Sequence, residues 1–73
     1  MIARLRALKA KEIIRVLRKN GFELVRINGS HHYFRKPNSQ LVCVPEHKGK
    51  ALAPGTFQKI RSDSGLSYED FMS

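Results

Sequence analysis

Residues 22–36 read FELVRINGSHHYFRK. Two runs of β-forming residues, Phe22 to Asn28 and His31 to Lys36, flank a tight-turn signal. An Asn-Gly pair is the strongest short signal for a hairpin, because such turns demand positive φ angles that glycine adopts at no steric cost. Asn28-Gly29 therefore predicts an antiparallel hairpin. Pro37-Asn38-Ser39 reads as the next turn and Gln40 to Val44 as a third strand. Pro45 has no N–H to give to a strand ladder and ends it. Three strands with short connections make an antiparallel meander.

Helical patterns lie on both sides of this meander. From Lys9 to Asn20, the residues Ala10, Ile13, Ile14 and Leu17 recur at the spacing of one buried helical stripe, with Lys11, Arg15, Arg18 and Lys19 on the other faces. Asn20-Gly21 stops that helix. After a polar loop, Glu46 to Ala51, Pro54 stands where a helix-starting proline belongs. Phe57, Ile60 and Ser64 follow at helical spacing, and Gly65-Leu66 closes the helix. Ser67 and Asp70 form a capping-box pattern that starts one more turn, ending in Phe71. The order is helix, three strands, helix, short helix. It predicts an α+β fold, a three-stranded antiparallel sheet with its helices on one face and the other face open to a partner.

Charge narrows the partner. The chain has 73 residues, with 14 Lys and Arg against 6 Asp and Glu, a net charge of +8. All of the excess lies in residues 1–36. The length suits a single domain over residues 1–73, too small to enclose a large organic cofactor. The one cysteine, Cys43, forms no internal disulfide and suits a reducing compartment. Flanked by Val42 and Val44, it reads as a buried structural thiol. The first residues, MIARLRALKAK, are interrupted by Arg4, Arg6 and Lys9 and contain no signal-peptide core. Met1 to Leu8 is too short for an amphipathic membrane anchor and reads instead as a helix extension. A small basic cytoplasmic protein with an anionic partner, and no membrane or cofactor, is the class that remains.

The densest chemical constellation is Gly29-Ser30-His31-His32-Tyr33-Phe34. Histidine exchanges protons near neutral pH, as a ribonuclease requires to activate a 2′-hydroxyl. Positive groups must also stabilise charge on the phosphate, and Arg26, Arg35, Lys36 and Lys48 are the nearest candidates. Strand alternation sends the two histidines to opposite faces. If Phe34 packs on the helices, His32 lies beside the core and His31 faces outward, making His31 the first catalytic candidate and His32 the second. Tyr33 is placed to stack on a base, and His47 to assist RNA contact. The spacing of the histidines is poor for a metal ion, and no metal ligands are assigned. A Cys43–His nucleophile pair is a further arrangement to test against the structure.

Four pieces, KEIIRVLRKNGFELVR, GSHHYFRKP, VPEHKGKALAPGTFQKI and GLSYEDF, occur in this order over Lys11 to Phe71. In order and spacing they resemble the HicA-type toxins, the mRNA interferases of toxin–antitoxin pairs. The resemblance implies a fold like the double-stranded-RNA-binding domain, α-β-β-β-α. It implies mRNA cleavage without a metal or organic cofactor and a cognate HicB-type antitoxin that covers the active face. It maps the family's essential histidine to His31, with His32 in contention, and Gly29 to the glycine of the adjoining turn. Ser30 completes the turn that presents them. Residues 1–10 lie largely outside the resemblance, as a possible extension. Two other readings compete: a non-catalytic double-stranded-RNA-binding module, and an interaction protein whose positive face docks an acidic partner.

Overall fold

The structure, a computed structural model, describes residues 7–72. Its elements are α1 (Ala10–Lys19), β1 (Glu23–Asn28), β2 (His31–Arg35), β3 (Val42–Pro45), α2 (Pro54–Ser64) and α3 (Tyr68–Met72). The sheet order is β1-β2-β3, with both pairings antiparallel. This is the α+β meander with helices that the turn and stripe signals indicate.

The hairpin turn lies one residue beyond the Asn-Gly signal. Asn28 pairs with His31, so the two loop residues are Gly29 and Ser30. Gly29 has φ +62°, and Ser30 does not share the positive sign. A glycine at the first loop position is the pattern of a type II′ turn, whose twist matches the flanking strands. The second turn follows the same logic: Asn38, at φ +63° after Pro37, lets the Ser39 N–H reach the Lys36 carbonyl at 3.1 Å.

β1 carries a bulge. Leu24 pairs with Phe34 but Arg26 pairs with Tyr33, leaving Val25 as the extra residue. Regular alternation would give Arg26 the same face as Leu24. The bulge turns Arg26 to the opposite face, beside Tyr33.

The helices close as their terminal residues dictate. The Glu12 carboxylate accepts the Lys9 N–H at the start of α1. At its end Gly21 takes φ +92° and the Phe22 N–H reaches back to the Leu17 carbonyl. The buried stripe of α1 is Ala10, Ile13, Val16 and Leu17, with Ile14 only half-buried, so Val16 takes the place expected for Ile14. Pro54 opens α2 and Gly65 closes it in the left-handed conformation. Ser67 and Asp70 cap α3 reciprocally: the Ser67 N–H donates to the Asp70 carboxylate, and the Asp70 N–H to the Ser67 hydroxyl.

The core sits between one face of the sheet and the helices. Phe34, Val42 and Val44 come from the sheet, Ile13 and Leu17 from α1, Ile60 from α2 and Phe71 from α3. Leu8 joins this core, and its carbonyl accepts the Leu52 N–H at 2.8 Å. Leu8 and Lys9 are thus tied to the segment before α2. The helix reading of Met1 to Leu8 does not hold at Ala7 and Leu8, which precede α1 outside any helix because Leu8 and Lys9 bond across to Leu52 and Ala51 instead. The rest of the proposed extension, residues 1–6, lies outside the described residues.

Candidate active site

Cross-strand pairing sorts the sheet residues into two faces, because residues directly opposite each other in an antiparallel ladder project to the same side. The helix-covered face carries Leu24, Ile27, His32, Phe34, Val42 and Val44. The open face carries Glu23, Arg26 and Asn28 from β1, His31, Tyr33 and Arg35 from β2, and Cys43 and Pro45 from β3, with Glu23 directly opposite Arg35.

His31 and His32 are separated as alternation requires. His31 is exposed, directly after the Gly29-Ser30 turn, and no hydrogen bond holds its imidazole among the described residues. The glycine is what allows His31 to stand at the first position of β2 opposite Asn28. The turn is in turn anchored to β3, where the Glu46 N–H donates to the Ser30 carbonyl at 2.7 Å. His32 is on the other side. Its Nε2 lies 3.5 Å from Glu46 Oε1, an ion pair when the imidazole is protonated, and its Nδ1 is buried with no hydrogen-bond partner among the described residues.

The open face has its own cation. The Arg26 guanidinium lies 4.6 Å from the centre of the Tyr33 ring, a cation–π distance. Arg35 is exposed on the same strand face as His31 and Tyr33, at the far end of β2. Arg26, His31, Tyr33 and Arg35 therefore form one surface. Lys36 does not belong to it. Its ammonium stands 4.9 Å from the centre of the Phe22 ring, with the Asn20 carbonyl 3.5 Å away, against the end of α1. His47 and Lys48 are exposed in the loop after β3. His47 lines a hollow with Lys9, Lys11 and Lys50 at the start of α1, not the surface around His31. The basic residues of α1, Lys11, Arg15, Arg18 and Lys19, are exposed on the helical side of the sheet. The positive charge is thus divided between two sides of the molecule.

Cys43 departs from the buried thiol expected. It is half-buried, points away from Val42 and Val44, and stands opposite Tyr33 on the open face. It makes no hydrogen bond to either histidine. It lines a cleft of about 270 Å³ between β3 and α2. His31 and Pro45 stand at one wall of that cleft, and Thr56, Lys59 and Asp63 at the other. These three α2 residues are absent from the sequence-derived candidates. Their signal is in the sequence: they repeat the helical spacing of the half-buried Phe57 and the buried Ile60 and Ser64 one position earlier, marking the polar border of the packed face. Among the described residues no group of three or more His, Cys, Asp or Glu side chains is arranged to hold a metal ion.

A three-stranded antiparallel sheet with helices on one face has the architecture of the double-stranded-RNA-binding-like domains. The family model of the HicA toxin of bacterial toxin–antitoxin systems matches residues 10–66. That span is most of the chain, and the chain belongs to the HicA toxin family. It is a toxin of a toxin–antitoxin system, with an antitoxin as its general partner. No curated protein matches the chain. No helix among the described residues is long and apolar enough to cross a membrane.

Proposed function

We propose that this toxin is a metal-independent endoribonuclease that cleaves mRNA in the cytoplasm, with His31 as its acid/base group and a HicB-type antitoxin as its inhibitor. The observation that carries the reading is the placement of His31. It is exposed, without a hydrogen-bond partner among the described residues, on the face that also presents Arg26, Tyr33 and Arg35.

The imidazole of His31 takes the proton from the 2′-hydroxyl of the nucleotide 5′ to the cut. The 2′-oxygen attacks phosphorus and the 5′-oxygen of the next nucleotide leaves with a proton. The products carry a 2′,3′-cyclic phosphate and a 5′-hydroxyl. Arg26 and Arg35 stabilise the charge that gathers on the phosphate oxygens. Tyr33 shares the face of His31, so it or water supplies the proton to the leaving oxygen. His32 faces the other way and is engaged with Glu46, which gives it a structural part. Each half of the chain has its place in this domain, residues 1–73. Because the antitoxin must block this chemistry, it covers the open face.

The test is cleavage of an mRNA in excess chelator with mapping of the product ends. Cyclic phosphate and 5′-hydroxyl ends are the result expected. A 5′-phosphate product, or activity abolished by the chelator, overturns the reading.

A further inference from the structure

The cleft between β3 and α2 has His31 in its wall, and none of its other lining residues enters the chemistry above. We propose that it is a nucleobase subsite, which takes one unstacked base next to the cleaved bond and favours amino-bearing bases over uracil. This rests on the ribonuclease reading for its place in the reaction, and on the cleft's own lining for its ligand.

The lining argues for a base, not a phosphate. Leu41, Pro45 and Ile60 make its apolar surface, and Leu41 is one of the few large apolar side chains left exposed. Among the described residues lining the cleft, the one lysine or arginine is Lys59, and it is paired with Asp63 at 3.2 Å. With a carboxylate in the lining, an anionic ligand is repelled and a flat neutral ring is not. The size agrees. At about 270 Å³ the cleft is smaller than the pockets of drug-sized ligands, roughly 300–1,000 Å³, and holds one ring system. Single-stranded RNA is commonly read in this way, by an unstacked base held on apolar or aromatic side chains with its edge hydrogen-bonded.

Asp63 sets the preference. Its side chain is only one-fifth exposed and lies in the cleft lining, 3.2 Å from Lys59, so it is an acceptor at the cleft wall. A carboxylate only accepts hydrogen bonds. Adenine, cytosine and guanine each offer it an exocyclic amino group. Uracil offers a single N–H flanked on both sides by carbonyl oxygens, which the carboxylate repels. The Thr56 hydroxyl, without a hydrogen-bond partner among the described residues, is available to the ring nitrogens.

The test is a titration of the ¹⁵N-labelled protein with the four 3′-nucleotides, for the wild type and for Asp63→Asn. Saturable shifts at Cys43, Thr56 and Asp63 are expected, with 3′-UMP binding about tenfold weaker than 3′-CMP, the scale of one well-placed edge contact. In Asp63→Asn, which accepts and donates, that ratio collapses toward one. Shifts confined to Arg26, Tyr33 and Arg35, equal binding of the four nucleotides, or an unchanged ratio in Asp63→Asn overturns the proposal. The outcomes separate from those of the ribonuclease reading: binding in the cleft by a protein that cleaves no RNA leaves the subsite standing and removes the nuclease.

Discussion

The imidazole of His32 stands with Nε2 3.5 Å from Oε1 of Glu46, on the side of the sheet that the helices cover. Its neighbour His31 is exposed on the opposite side. One residue of offset along a strand therefore separates a histidine paired with Glu46 from a histidine exposed on the open face. His32→Ala removes a half-buried side chain and costs about 1–2 kcal/mol of stability, seen as a lower urea midpoint. Its cleavage rate stays within about tenfold of the wild type, because loss of an acid/base group costs about 10²–10⁴-fold. A stable His32→Ala protein with that larger loss would transfer the catalytic role to His32.

Arg26 reaches the open face only through the bulge at Val25. If its guanidinium meets a phosphate, Arg26→Ala binds single-stranded RNA more weakly, with unchanged thermal stability. The slope of log affinity against log salt falls by about 0.7, the counterion released by one phosphate contact on a single strand. An unchanged slope would confine Arg26 to its contact with Tyr33.

Gly29 is needed for its backbone and not for space. No atom lies within 4 Å of where its Cβ would be, yet its φ is +62°. Gly29→Ala loses about 1–2 kcal/mol, the cost of the left-handed conformation for an ordinary side chain. Gly29→Asn loses less, because asparagine tolerates that region better. Chemical denaturation of the two variants side by side checks the order. Equal losses would point to a different turn.

Phe34 is 1% exposed and links the sheet to the helices. The Arg18 guanidinium also lies 5.8 Å from the centre of its ring. Truncation to alanine costs about 3–5 kcal/mol, much of the total stability available to a small domain. Phe34→Ala is expected to lose its cooperative thermal transition by circular dichroism. A sharp transition near the wild-type temperature would show that the core lies elsewhere.

Much of this was legible before any coordinates. Local chemistry marks its own boundaries here. Gly21 and Gly65 end helices, Pro54 begins one, and Ser67 with Asp70 caps another. Strand alternation alone puts His31 outward when Phe34 packs in the core. What escaped depends on tertiary geometry. The bulge at Val25 reverses the face of Arg26, and nothing in ELVRIN announces it. Lys36 follows Arg35 in sequence, but its long side chain turns to Phe22 and α1, away from the candidate surface. Thr56, Lys59 and Asp63 line one cleft with His31 because α2 packs along β3, a pairing of segments far apart in the chain. Cys43 looked buried because its neighbours are, yet alternation gives it the opposite face.

The central claim is that His31 performs the chemistry. The most direct measurement compares wild type and His31→Ala in RNA cleavage under excess chelator, with RNA affinity measured on the same preparations. The expected result is cleavage by the wild type alone, a loss of about 10²-fold or more in the variant, and RNA affinity nearly unchanged. Equal cleavage by both proteins would remove His31 from the mechanism. RNA binding without cleavage by either would make the chain a binding module.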